Sequence, residues 1–126
     1  MNSPDTSINE PWEPNHATLM IREIANDPRM GLAFKRHASE RLAERGILMS
    51  DVLYILKNGF VHEKAVNATQ PGSFKYCIEC KTPNSGAREV RLIAILREDT
   101  FMIKLVTIMW VDEKSTRAGG CYGGNV

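Results

Sequence analysis

His37 and Arg41 are the residues whose types and spacing point most directly to chemistry. They lie four apart in Lys35-Arg36-His37-Ala38-Ser39-Glu40-Arg41-Leu42-Ala43-Glu44-Arg45-Gly46-Ile47. On a helix, with about 100° per residue, Arg41 falls about 40° from His37, so the two side chains can reach one phosphate together. RNA cleavage without a metal needs a base for the 2′-hydroxyl proton, a cation for the charged phosphorane and an acid for the leaving oxygen. A histidine beside an arginine supplies those group types. Lys75, Arg88 and Arg91 could add cations from strands, and Tyr76 and Trp110 are rings on which bases could stack. The same residues also fit a plain structural role, with His37 capping or packing at the helix start and Arg41 paired with Glu40, Glu44 or the sheet. On residue physics alone the structural role carries more weight.

Other chemistries find less support. Cys77-Ile78-Glu79-Cys80 has the spacing of a zinc knuckle, but residues three apart on a strand point to opposite faces. Only Cys121 and three scattered histidines remain as further ligands, so no metal or other cofactor is expected. No neighbouring sequence marks a cysteine as an activated nucleophile. There is no phosphate-cradling glycine loop, nucleophile elbow or dinucleotide fingerprint.

The elements that must position His37 and Arg41 can be read from periodicity. The stretch from His37 to Arg45 contains no Gly or Pro, and Gly46 then offers the left-handed conformation that closes a helix. One face carries His37, Glu40, Arg41 and Glu44, and the other carries Ala38 and Leu42. Arg45 lies at the edge of the apolar face, where it must pair or reach out to solvent. An earlier helix is predicted from about Pro14 to Asn26, with Ala17, Met20, Ile21 and Ile24 on its apolar face. Arg29 to Lys35 reads as a connector. A third helix is expected after Ser50, a good N-cap, with Asp51 in its first turn and Asn58-Gly59 at its end.

The period then drops towards two. Strands are expected over Phe60 to Val66, Ser73 to Lys81, Arg88 to Arg97 and Phe101 to Val111, separated by turns at Pro71-Gly72, at Pro83 to Gly86 and at Glu98-Asp99-Thr100. Leu92-Ile93-Ala94-Ile95-Leu96 is apolar on both faces, the mark of a central strand. Short loops make antiparallel neighbours. The expected architecture is therefore α+β, with helices on one face of a four-stranded antiparallel sheet. Residues 1–13 are expected to be extended or disordered, residues 14–111 to form the domain, and residues 112–126 to be a flexible glycine-rich tail.

The chain has 126 residues, enough for one core, with 43% apolar and 25% charged side chains. No apolar run is long enough to span a membrane, and the N-terminus lacks a secretory signal. Three cysteines make an odd number, which argues against a disulfide framework. The expected location is the cytoplasm. Residues 35–97 hold 11 basic and 6 acidic side chains, a balance of +5, whereas the whole chain carries only +1. A basic middle is compatible with a polyanion such as RNA.

The stretch from His37 to Ile47, followed by Asp51-Val52 and Leu56-Lys57-Asn58-Gly59, resembles a family of small bacterial domains of unknown function. The family's pattern is roughly H-A-x-x-R-[ML]-x-x-R-G-I, then a D-V-x-x-[VI]-L helix, then strands. Tyr76, the strand through Arg91 to Leu96, and Val106-Thr107-Ile108-Met109-Trp110 fit the strand portion. The resemblance covers about residues 34–111. That family looks like part of the RelE-like group of ribonuclease toxins, which also includes barnase and EndoU. The resemblance implies helices on a curved antiparallel sheet, metal-independent cleavage of RNA and a cognate antitoxin. By matching position, His37, Arg41 and Arg45 carry the motif. The expected function is thus a toxin of a toxin–antitoxin pair, with a non-catalytic interaction or regulatory module of the same fold as the alternative.

Overall fold

A computed structural model describes residues 10–112. Three helices, α1 (Pro14–Asn26), α2 (Arg36–Arg45) and α3 (Met49–Asn58), pack on one face of a sheet. The strands are β1 (Gly31–Phe34), β2 (Phe60–Val61), β3 (Val66–Asn67), β4 (Phe74–Lys81), β5 (Glu89–Arg97) and β6 (Met102–Trp110). Their order is β1-β6-β5-β4-β2, with β3 also pairing to β4. The fold is α+β, and the sheet is mixed.

Two features correct the expected four-stranded antiparallel sheet. Gly31 to Phe34 is not a connector. It is a strand that pairs in parallel with β6, from Gly31 opposite Met102 to Phe34 opposite Leu105. The single strand expected over Phe60 to Val66 is instead two short strands, both antiparallel to β4. The polar run His62-Glu63-Lys64 separates them, and only the flanking residues keep their ladder bonds.

Local chemistry accounts for the helix boundaries. Pro14 opens α1, where its missing N–H costs nothing. Gly46 closes α2 in the left-handed region, with φ of 65°. Gly59 ends α3 for a different reason: a Cβ there would lie 2.7 Å from both the Ile55 carbonyl oxygen and Ile78 Cγ2. Ser50 is not the N-cap of α3. Leu48 holds that position, and Asp51 caps the helix by accepting the Leu48 N–H at 2.9 Å.

The core lies between the helices and one face of the sheet. Ile21 and Ile24 of α1, Val52, Ile55 and Leu56 of α3, and Tyr76, Ile78, Leu92, Ile103, Leu105 and Ile108 of the strands form it. It begins before α1, because Trp12 is buried and stacks on Tyr76 with ring centroids 5.5 Å apart. The Tyr76 hydroxyl accepts the Trp12 N–H at 3.0 Å and donates to the Glu10 carboxylate. The rest of the expected N-terminal extension, residues 1–9, lies outside the described residues, as does the glycine-rich stretch after Asp112.

Strand β6 contains a bulge. Ile93 faces Thr107 while Ala94 faces Leu105, which leaves Val106 as the extra residue. The bulge shifts the alternation by one, so Ile103 and Leu105 before it and Ile108 and Trp110 after it all turn to the helix side. Lys75, Cys77 and Glu79 of β4 and Arg91, Ile93 and Ile95 of β5 alternate onto the opposite face, where Cys77, Ile93 and Val106 form a second small cluster.

Asp51 joins α3 to the β4–β5 hairpin. Its carboxylate is 3% exposed and accepts hydrogen bonds from the Thr82 hydroxyl at 2.7 Å and the Asn84 amide at 3.3 Å, besides the Leu48 N–H. Burial alone would raise its pKa, but these three donors together hold it below the ordinary value. A carboxylate with a lowered folded pKa contributes stability above its unfolded pKa, and that contribution fades as pH falls through the folded value. Asp51→Ala leaves buried donors without an acceptor. It is expected to lower unfolding free energy at pH 7 by about 2–3 kcal/mol, measured by urea denaturation. The difference between wild type and Asp51→Ala should shrink as pH falls below about 4. A difference that is constant down to pH 2 would contradict the charged-acceptor account.

Candidate functional site

Helix α2 lies over β6 and β1 and buries Ala38, with Leu42 partly buried beside it. This leaves His37, Glu40, Arg41 and Glu44 towards solvent, the face the helical spacing predicts. The His37 side chain is 74% exposed, and its Nδ1 lies 3.7 Å from Glu40 Oε1. Arg41 is 36% exposed and donates from Nη1 to Glu44 Oε1 at 3.2 Å. Arg45 is 22% exposed, with Nη1 3.6 Å from the same Glu44 oxygen. Arg36 stands at the helix start, 3.7 Å from Glu40 Oε2.

The structure gathers three of the sequence-predicted residues at the C-terminal end of α2. The Trp110 indole donates to the Arg45 carbonyl oxygen at 3.2 Å, which tethers the end of β6 to the last turn of the helix. The Arg88 guanidinium lies over the Trp110 ring, 4.0 Å from its centroid, and clamps the Asp112 carboxylate with bonds of 3.1 and 2.8 Å. His37 and Arg45 are eight residues apart, so about 12 Å of helix separates the two ends of this face.

Three others lie elsewhere. Tyr76 is fully buried against Trp12, so its ring is not available to a base. Arg91 sits on the opposite face of the sheet and donates to Glu79 at 2.6 Å, with both side chains 12% exposed. Lys75 shares that face, opposite Ile95 of β5 and Val66 of β3. Lys75 and Arg91 are therefore separated from His37 and Arg41 by the sheet.

Sequence reasoning missed the part Asp112 plays with Arg88. The available signal was the antiparallel pairing of β5 with β6, which brings residues just outside the two strands together. It also missed Trp12, whose signal was a lone tryptophan in a polar segment.

Among the described residues, no three His, Cys, Asp or Glu side chains converge as a metal site. Cys77 and Cys80 fall on opposite faces of β4, as the strand geometry requires. Burial, with Glu89 nearby, pushes the Cys80 thiol up to about 11, so it is protonated at neutral pH and a poor nucleophile. No helix among the described residues is long and apolar enough to cross a membrane.

A three-helix layer on a mixed sheet, with a motif-bearing charged helix on its surface, defines the class. The chain belongs to the DUF4258 family, a domain of unknown function, whose profile matches residues 34–110. The match runs from the end of β1 through all of α2, α3 and the remaining strands, and leaves out α1. No curated protein and no solved structure matches the chain.

The Arg88 clamp holds the Asp112 carboxyl below the usual carboxylate range, through the hydrogen bonds first and through charge second. In Arg88→Ala the Asp112 pKa is expected to rise towards the ordinary value of about 3.9, followed by carboxyl-carbon NMR titration. The fluorescence of Trp110 should change in the same variant. An unmoved Asp112 titration would show that the pair does not persist in solution.

Proposed function

We propose that this chain is a metal-independent endoribonuclease of the RelE-like toxin kind, acting through the solvent face of α2. The observation that carries this reading is the pairing of an exposed His37 with Arg41 one turn along the same face. In this scheme His37 takes the proton of the 2′-hydroxyl or returns one to the leaving 5′-oxygen, and Arg41 faces the phosphate as negative charge builds on it. Glu44 occupies Arg41 in the unbound protein. An exposed ion pair of this kind contributes little, so a phosphate can displace the carboxylate. Arg45 is a second cation at the edge of the site. Arg88 and Trp110 extend the surface beyond the C-terminal end of the helix, where a base could stack in exchange for the guanidinium. The RNA substrate and a cognate antitoxin protein are the partners this reading requires.

A specific observation favours a second reading, an interaction module without catalysis. All three arginines of α2, and His37 with them, lie within 4 Å of a Glu40 or Glu44 carboxylate, the arrangement of a self-neutralised surface. Leu19 of α1, Tyr54 of α3 and Phe60 of β2 are exposed large apolar side chains and would then serve for docking.

Induced expression separates the two readings. Wild type is expected to arrest growth and fragment cellular RNA, and His37→Ala and Arg41→Ala to abolish both. All three proteins should keep the same circular dichroism and melting temperature, because both side chains are on the surface. Normal growth with intact RNA, from wild type expressed at the same level, would discard the nuclease reading in favour of the module.

A further inference from the structure

The two edges of the sheet are finished differently. At the β2 edge, side chains of α1 take up the free main-chain groups. Thr18 Oγ1 accepts the Val61 N–H at 2.9 Å, and Arg22 donates to the Gly59 carbonyl at 3.0 Å and to the Asn58 carbonyl at 3.1 Å. At the β1 edge nothing comparable occurs among the described residues. The Gly31 N–H reaches the Phe101 carbonyl and the Lys35 N–H the Leu105 carbonyl, both on the β6 side. By the alternation of a parallel ladder, the N–H and C=O groups of Leu32 and Phe34 then point away from β6. The strand itself is Gly-Leu-Ala-Phe, with none of the charges, prolines or bulges that usually protect an edge.

We propose that β1 is a docking edge for an extended, acidic peptide segment of another protein, which adds to the sheet as a further strand beside Leu32 and Phe34. This inference is independent of the nuclease reading. Main-chain bonds to those two residues supply the affinity, and the flanking charge selects the partner. Lys35 and Arg36 are exposed at one end of β1, and Lys104 is exposed on β6 opposite Ala33. Glu40 is the facing acid, while Asp27 is already engaged by Arg29 at the other end. Glu98 and Asp99 stand in the turn before Phe101, at the Gly31 end, so the cationic part of the edge is its Phe34 end, with Lys35, Arg36 and Lys104 against Glu40.

The test uses the full chain and two fluorescent eight-residue peptides, one alternating Glu with Val and one alternating Lys with Val. The acidic peptide is expected to bind with salt-sensitive affinity, to slow amide exchange at Leu32 and Phe34, and to bind at least about tenfold more tightly than the basic one. Leu32→Pro removes an edge donor that β6 does not use, and should weaken binding about five- to tenfold. The double variant Lys35→Glu with Arg36→Glu leaves the backbone intact and should reverse the peptide preference, so the proposal stays testable if the proline variant unfolds. Equal binding of both peptides, or unchanged exchange at Leu32 and Phe34, would overturn it. So would sedimentation as a dimer with those amides protected without peptide, which would assign the edge to a second copy.

Discussion

The bulge at Val106 is the constraint on which the arrangement around α2 depends. A regular β6 would turn Ile103 and Leu105 to the helices and send Trp110 to the other face. With one extra residue, the strand presents apolar side chains to the helix layer at both its ends. Trp110 can then bond the Arg45 carbonyl and carry Arg88 on its ring. The last turn of α2 is thus held from below by a strand whose far end pairs with β1, the segment that leads into the first turn. Both ends of the motif helix are fixed through one strand.

Much of this was legible in the chain because it is local. The helix bounds follow from Pro14, Gly46 and Gly59, and the exposed face of α2 follows from its spacing. The strands β4, β5 and β6 announce themselves through alternation or through the apolar block at Leu92 to Leu96. Apart from the α3 N-cap, which falls at Leu48 and not at Ser50, the missed features are those decided by partners far along the chain. Gly31 to Phe34 is four residues long and has no polar alternation, so only its pairing with Met102 to Leu105 makes it a strand. The bulge arises from a mismatch between two strands and cannot be seen in either alone.

The candidate site was legible only in part, for the same reason. The helical wheel placed His37 and Arg41 together correctly, since both sit on one element. It could not say on which side of the sheet Lys75 and Arg91 would lie relative to α2. Tyr76 is the instructive case. Alternation grouped it with Phe74 and Ile78, and that grouping holds, but the hydroxyl gave it the look of a surface residue. Its polar end is met by Trp12 and Glu10, from a segment whose composition suggested no core contact.

The parallel pairing of β1 with β6 also bears on how the protein is made. Synthesis runs from the N-terminus, so β1 and α2 leave the ribosome well before Met102 to Leu105 exist to receive them. Strand pairing across so long a stretch is slow to close, and α2, at ten residues, is too short to persist alone. The nascent chain therefore carries the complete motif without the framework that orients it. That framework is assembled only once β6 has been translated.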